Sequence, residues 1–288
     1  MIYDVIIIGS GPAGISASLY CKRANLETLI ISKGIGTLDK VSGIENYYGL
    51  PDTISGKEIQ EIGEGQAQKL GIEIKKEEVV QIDYDNNYIV KTLNNIYETK
   101  TVILATGSSR KQENIKGIKE FEGKGISYCA TCDGFLYKGK DVAVLGSKEY
   151  ALHEIEELLP LAKNVIMLTN GQDPIEKRIG EIEIEKRRIR EFRGIDSIEE
   201  IEFEDNTKKK IDGVFIAIGT ASSSDLAKKL GVILDDKENI KVDNEMKTNL
   251  KGFYACGDCT GGVLQIAKAV YEGMIAGMSS IKYIKENK

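Results

Sequence analysis

The clearest chemistry in this chain sits in Cys129-Ala130-Thr131-Cys132-Asp133. Two thiols three residues apart can close a small, reversible disulfide, and this spacing lowers thiolate pKa. Asp133, beside the second cysteine, can move the proton that thiol–disulfide exchange requires. The same pair also reads as half of a zinc or iron–sulfur site, completed by Cys256-Gly257-Asp258-Cys259. The two pairs lie far apart in sequence, unlike those of a compact zinc ribbon. Taken alone, Cys256 and Cys259 read as small buried residues beside a cofactor, and Cys21 as core.

A second chemical signal is Gly9-Ser10-Gly11-Pro12-Ala13-Gly14. Gly9 permits a tight turn, and Gly11 lets the backbone approach a pyrophosphate. Gly14 lets helix and strand pack closely, and the helix N-terminus faces the anion. Pro12 suits the first helical turn, where its missing N–H would be unpaired anyway. The acid that usually reads the ribose is not evident, because Ser32 stands at the end of the next apolar run.

These motifs need elements to position them. Tyr3–Ile8 reads as a buried strand, Pro12–Ala24 as a helix and Thr28–Ile31 as a second strand, which together imply a parallel sheet. Ser55–Leu70 reads as another helix, and Tyr88–Leu93 with Ile96–Lys100 as a hairpin around Asn94-Asn95. Val102–Ala105 ends in the breaker cluster Thr106-Gly107-Ser108-Ser109. A new unit starts after Arg110–Lys124. It holds a strand at Val142–Leu145, a helix over Ala151–Leu161 and a strand at Val165–Leu168, closed by a hairpin of Ile198–Phe203 and Lys208–Ile211. Ile211–Ile218 reads as a buried strand and Ala267–Ile281 as a helix of small and apolar residues. Two β-α-β starts imply two related nucleotide folds.

Composition narrows the chemistry further. The 288 residues suggest about two domains, enough to bury a core without disulfide or metal staples. The 39 basic and 45 acidic residues give a net charge of −6, which argues against a general nucleic-acid binder. No apolar run approaches a membrane span, and Val5–Ile8 breaks at Gly9, so it is no secretory segment. A cytoplasmic chain is expected. One histidine, His153, rules out multi-histidine metal sites and reads as a surface or helix residue.

The order of these motifs, together with Ile44-Glu45-Asn46-Tyr47, Ala105-Thr106-Gly107 and Tyr254-Ala255-Cys256-Gly257-Asp258, resembles the low-molecular-weight thioredoxin reductases, homodimeric FAD enzymes. The resemblance covers nearly the whole chain. It implies an α/β chain of two Rossmann-like three-layer domains, the second inserted into the first. Residues 1–110 and 212–288 would bind FAD, and residues 111–211 would carry the redox pair. It further implies cofactor contacts at Gly9, Gly11, Pro12, Ala13, Gly14, Asn46, Thr106, Gly107, Gly257, Asp258, Gln265 and Ile266. In the family the second cysteine, here Cys132, lies next to the flavin; the first, here Cys129, attacks the substrate disulfide; and the acid, here Asp133, handles the proton.

The inserted domain departs from the family. Its loop is Gly146-Ser147-Lys148-Glu149-Tyr150-Ala151, and only Gly146 and Ala151 survive of the family's glycine-rich pattern. Side chains at Ser147 and Lys148 stand where backbone must approach pyrophosphate, and Glu149 adds an anion. The family's His-Arg-Arg clamp for a 2′-phosphate is replaced by Leu168-Thr169-Asn170-Gly171-Gln172-Asp173, without a cation. No NADPH use is therefore expected. The pattern looks most like the ferredoxin-dependent flavin thioredoxin reductases, with ferredoxin as donor and thioredoxin as substrate. A ferredoxin near about −400 mV and thioredoxin near about −270 mV make the transfer downhill by about 6 kcal/mol for two electrons. Lys186-Arg187-Arg188 with Arg190, and Lys208–Lys210, could dock an acidic donor, or could be solvated faces of the hairpin. Two other readings remain open: an NADPH-dependent reductase with an atypical loop, and a flavin redox sensor without turnover.

Overall fold

Apolar runs bounded by turn residues become the inner strands of a parallel sheet. In the structure, a computed structural model, residues 1–34, 36, 38–107, 115–175, 182–219 and 223–287 are described. Strand β1 (Ile2–Ile8) pairs with β2 (Thr28–Ser32), Ile8 standing opposite Ile31. Helix α1 (Pro12–Arg23) crosses between them, and α2 (Gly56–Lys69) leads to β3 (Glu73–Lys76) on the far side of β2. A capping box starts α2: Ser55 Oγ accepts the Glu58 N–H at 3.2 Å, and Glu58 accepts the Ser55 N–H at 2.8 Å. Strand β4 (Val79–Asp85) pairs with β5 (Asn87–Thr92), and β5 forms the expected hairpin with β6 (Ile96–Leu104). The Val102–Leu104 run is no separate strand; it continues β6 and pairs in parallel with β1.

The chain then enters a second unit. Strand β7 (Ile126–Ser127) precedes a short helix, α3 (Ala130–Asp133). Next come β8 (Asp141–Leu145), α4 (Glu149–Leu158), β9 (Asn164–Leu168) and β10 (Glu183–Glu185). A three-stranded antiparallel sheet follows, made of β11 (Ile189–Gly194), β12 (Ile198–Phe203) and β13 (Lys208–Lys210). Strand β14 (Gly213–Ile216) returns to complete a five-stranded parallel sheet in the order β10-β9-β8-β14-β7. The chain rejoins the first unit as α5 (Ser223–Lys229), β15 (Phe253–Ala255) and α6 (Ile266–Glu286). The first sheet has the order β3-β2-β1-β6-β5-β4, with β15 also pairing β6.

Two units result, Met1–Arg110 with Ser222–Lys288, and Lys111–Ala221. The boundary read at residues 110/111, like the breaker residues Ser108-Ser109, lies outside the described residues. The boundary read at residue 211 is displaced, because β14 pairs with β8 and β7 and so belongs to the second unit's sheet. Each unit has its own core. Ile7, Ile30, Ile103 and Tyr254 share one, and Leu145, Ile166, Phe203 and Val214 share the other. In the first unit α6 presses on α1 through small residues: a Cβ at Gly273 would stand 2.1 Å from the Ala13 carbonyl oxygen.

The basic clusters lie mostly in the antiparallel sheet, and nearby carboxylates hold several of their members. Arg187 pairs with Glu185 at 2.5 Å and with Asp205 at 3.7 Å. Arg190 pairs with Glu202 at 3.1 Å, Lys208 with Glu200 at 2.6 Å, and Lys209 with Glu183. For these four residues the structure shows ion-paired hairpin faces.

Candidate active site

Cys129 and Cys132 form a disulfide with Cα atoms 5.3 Å apart. The geometry follows from local sequence: Cys129 is the N-cap of α3, and its sulfur accepts the Cys132 N–H at 3.0 Å. Ser127, buried at the end of β7, organises the turn. Its hydroxyl donates to Asp133 Oδ2 at 2.6 Å and accepts the Cys129 N–H at 3.1 Å. Asp133 therefore lies one hydroxyl away from the backbone of Cys129, although no motif marks Ser127 in the sequence. Cys132 is exposed, whereas Cys129 is only 8% exposed. An attack by Cys129 on a protein disulfide thus requires the turn to open.

In the first unit the parallel strands β1, β6 and β15 end side by side, with Ile8 opposite Leu104 and Leu104 opposite Ala255. The segments that follow them therefore meet at one sheet edge. These are the Gly9–Gly14 loop, Thr106-Gly107, and Cys256-Gly257-Asp258. A crevice at the carboxyl ends of parallel strands is where open α/β sheets bind ligands. The glycines divide the work. A Cβ at Gly9 would fall 2.3 Å from the Ala105 oxygen, and one at Gly14 would fall 1.9 Å from the Gly9 oxygen. A Cβ at Gly11, by contrast, meets nothing within 4 Å. That open space lies before the N-terminus of α1, which carries no acid in its first turn and has Pro12 at N1. Ala13, the next residue, is buried against α6. This cradle fits a pyrophosphate.

The other expected contacts extend the same edge. Asn46 Nδ2 donates to Gln265 Oε1 at 3.2 Å, bringing together two residues 219 positions apart, and Ile266 starts α6 behind Gln265. Thr106 bonds Ser223, whose hydroxyl also donates to the Gly107 carbonyl at 2.9 Å. Burial raises the Asp258 carboxyl pKa, partly offset by Lys268. Lys268 donates to the carbonyls of Gly257 at 2.8 Å and Gly261 at 2.6 Å, and Glu272 accepts the Gly257 N–H at 2.8 Å. Ser223, Lys268 and Glu272 carry no sequence signature and were missed.

The ribose question also has a structural answer in part. Ser10 Oγ lies 2.9 Å from both Ser32 Oγ and Glu64 Oε1, so Ser10 links the tip of β2 to an acid on α2. Gln60 Nε2 holds the loop by donating to the Ser10 carbonyl at 2.6 Å.

The second unit repeats the arrangement with a different filling. Strands β8, β9 and β14 end together, and a Cβ at Gly146 would fall 2.1 Å from the Ala217 oxygen. Ser147 is 3% exposed, and its hydroxyl donates to Gln172 Oε1 at 3.0 Å. The Ile175 N–H donates to the Ser147 carbonyl at 2.9 Å. The segment after β9 is thereby tied over the loop that would cradle a phosphate. Lys148 is the N-cap of α4 without a side-chain cap bond, and Glu149 occupies the first turn. His153, read as a surface or helix residue, lies in α4 and is buried.

Cys21, Cys256 and Cys259 are free and buried. Burial pushes the thiols of Cys21 and Cys259 up to about 12 and raises Cys256 as well. Among the described residues no group of three or more His, Cys, Asp or Glu side chains could hold a metal ion. Among them, too, no helix is long and apolar enough to cross a membrane.

Comparison with known proteins gives the family. The family model described as pyridine nucleotide-disulphide oxidoreductase matches residues 3–273. The thioredoxin reductase of Ureaplasma parvum is 35% identical over 304 residues, covering 99% of this chain and 98% of that protein. The atypical thioredoxin reductase TRi from Desulfovibrio vulgaris Hildenborough is similar in structure, with a TM-score of 0.92, 36% identity, and coverage of 99% of this chain and 98% of that one. A ferredoxin-flavin thioredoxin reductase from Clostridium acetobutylicum has a TM-score of 0.79, 32% identity and the same coverage. The chain belongs to the pyridine nucleotide-disulphide oxidoreductase family, and these relatives within it are thioredoxin reductases.

Proposed function

We propose that this chain is an FAD-dependent thioredoxin reductase whose electrons come from a reduced ferredoxin and not from NADPH. Lys148 carries the second half of this reading, because it is the N-cap of α4 as Gly11 is of α1, and so puts a side chain where a nucleotide phosphate would need bare backbone. Leu168–Asp173 itself holds no cation, although Arg188 packs against Gly171 from the next strand. The name of the Clostridium acetobutylicum relative supports a ferredoxin donor.

FAD would be held by the Gly9–Gly14 loop, Asn46, Thr106, Gly107, Asp258 and Gln265, and would supply the two electrons that open the Cys129–Cys132 disulfide. The protein's own residues do the rest. Cys129, as thiolate, attacks one sulfur of the thioredoxin disulfide, whose S–S bond breaks to give a mixed disulfide. Cys132 then attacks the Cys129 sulfur, re-forms the internal bond and releases the second thioredoxin thiol. Asp133, held by Ser127, moves the proton at the departing sulfur. Residues 1–110 with 222–288 would form the FAD domain, and the inserted domain would carry the redox pair. The homodimer implied by the resemblance belongs to the same proposal, and light scattering at one chain mass would remove it.

The family description, which names pyridine nucleotide, favours a second reading in which NADPH still reduces the enzyme. Anaerobic mixing separates the two. The flavin band should stay unbleached with NADPH and bleach with a reduced low-potential ferredoxin. Rapid bleaching by NADPH overturns the donor assignment and leaves the reductase assignment standing.

A further inference from the structure

The tip of β2 lacks the acid that reads a ribose in folds of this kind, and a chain of hydroxyls stands there instead. Ser32 ends β2, and Ser10, in the glycine loop, is 2% exposed. Their hydroxyl oxygens are 2.9 Å apart, and Ser10 Oγ is also 2.9 Å from Glu64 Oε1 on α2. Ser10 has one hydroxyl proton and two such neighbours, so only one of them receives it. Gln60 decides which. Its Nε2 lies 2.6 Å from the Ser10 carbonyl, which can only accept, so this atom is the amide nitrogen. The same nitrogen donates to Glu64 Oε1 at 2.8 Å. Oε1 is therefore the accepting oxygen of the Glu64 carboxyl. Were the Ser10 proton turned to Ser32, lone pairs of Ser10 Oγ and Glu64 Oε1 would face each other at 2.9 Å. The Ser10 proton thus goes to Glu64, and Ser32 donates to Ser10. The Gly34 N–H occupies one lone pair of Ser32 Oγ at 3.3 Å. Ser32 is left with one lone pair and no proton to offer a ligand.

We propose that Glu64 is a positioning residue that acts through Ser10 to turn the Ser32 hydroxyl into an acceptor, which receives a ribose hydroxyl from the adenosine half of the cofactor. Two serines and a glutamate from α2 would then do what a single acid does at the end of this strand in other dinucleotide folds. The inference rests on reading the first crevice as an FAD site, but it needs neither electron donor nor thioredoxin.

The test compares two flavins on the full chain, FAD and an FAD analogue with fluorine in place of both adenosine-ribose hydroxyls. Affinities are read from flavin fluorescence. Fluorine has no proton to give, so the native protein should bind the analogue about tenfold more weakly, the worth of one hydrogen bond. Glu64→Ala lets the Ser10 proton turn to Ser32, whose own proton can then point outward, and the tenfold ratio should fall below threefold. Glu64→Gln keeps an accepting oxygen for Ser10 and should keep the ratio. A role in folding alone would weaken both flavins equally and leave the ratio near ten. A ratio still near tenfold in Glu64→Ala overturns the proposal, and so does one that collapses in Glu64→Gln. Should Glu64→Ala fail to fold, Ser10→Ala decides, since it cuts the same chain of hydroxyls; a tenfold ratio retained there overturns the proposal. A native ratio near one overturns it too, yet leaves FAD as the cofactor. A native protein that binds neither flavin removes the cofactor reading itself, and this proposal with it.

Discussion

The two glycine loops are built alike and have diverged at a single kind of position. In both, the first glycine is demanded by packing, against the Ala105 oxygen at Gly9 and against the Ala217 oxygen at Gly146. At the position that faces a ligand, the loops part. Gly11 opens onto empty space, while Lys148, the matching N-cap in the second loop, carries a long side chain; the serines before them, Ser10 and Ser147, both bond back into their own unit. On the proposed donor assignment, the glycine demanded by packing is kept in both loops, and the one facing the ligand is kept only in the first. Remnant glycines in a motif thus report on packing, and the side chains between them report on function.

Substitutions can break this comparison, and the largest effects fall on the shared glycines. Gly9→Ala and Gly146→Ala should each destabilise the protein by about 2–4 kcal/mol, because their backbones must move. Gly9, at φ +111°, also carries left-handed strain. Thermal unfolding of both variants measures this, and an unchanged Tm in either would end the packing argument. Gly11→Val should separate fold from ligand. Its backbone suits any residue, so apoprotein stability should stay within about 1 kcal/mol. FAD affinity measured by fluorescence should fall by about 100-fold, and unaltered affinity would remove Gly11 from the cofactor site.

Smaller effects belong to the second loop. Ser147→Ala should cost about 1 kcal/mol, the worth of one buried hydrogen bond, and should confer no response to NADPH. A gain of NADPH reduction would show that this bond alone blocks the nucleotide. The smallest expected effect is a null in thiol counting. With thiols raised to about 12, Cys21 and Cys259 stay protonated from neutral pH until about that value is approached, and Cys256 is raised in the same direction. Alkylation of the reduced native protein at pH 8 should therefore stop at two equivalents, on Cys129 and Cys132.

Short-range chemistry was legible in the sequence, and long-range partnership was not. The strand–loop–helix units at residues 3 and 142, the redox pair and its acid could all be read because each is contiguous. Asn46 and Gln265 entered as cofactor positions only through the family resemblance, and their contact, with nothing local linking them, came from the structure. Ser127 and Ser223 act through hydrogen bonds to backbone groups and motif side chains, and such contacts leave no pattern. Strand β11 leaves no apolar run in the sequence, because Arg190 and Glu191 separate its buried Ile189 and Phe192, and Arg193 follows. Arg193 pairs with Glu202 at 2.9 Å. The basic clusters were ambiguous because most of their carboxylate partners, such as Glu202 for Arg190 and Glu183 for Lys209, are distant in sequence.

The press of α6 on α1 at Gly273 also bears on when the molecule can become itself. Residues 111–221 are contiguous, so the ribosome delivers that unit whole. The other unit begins earlier yet waits, with α1 lacking the helix that covers Ala13 until residues 266–286 emerge. During synthesis the order of birth and the order of completion are therefore reversed. The portion translated first matures last, and the redox turn can fold before the nucleotide crevice is finished.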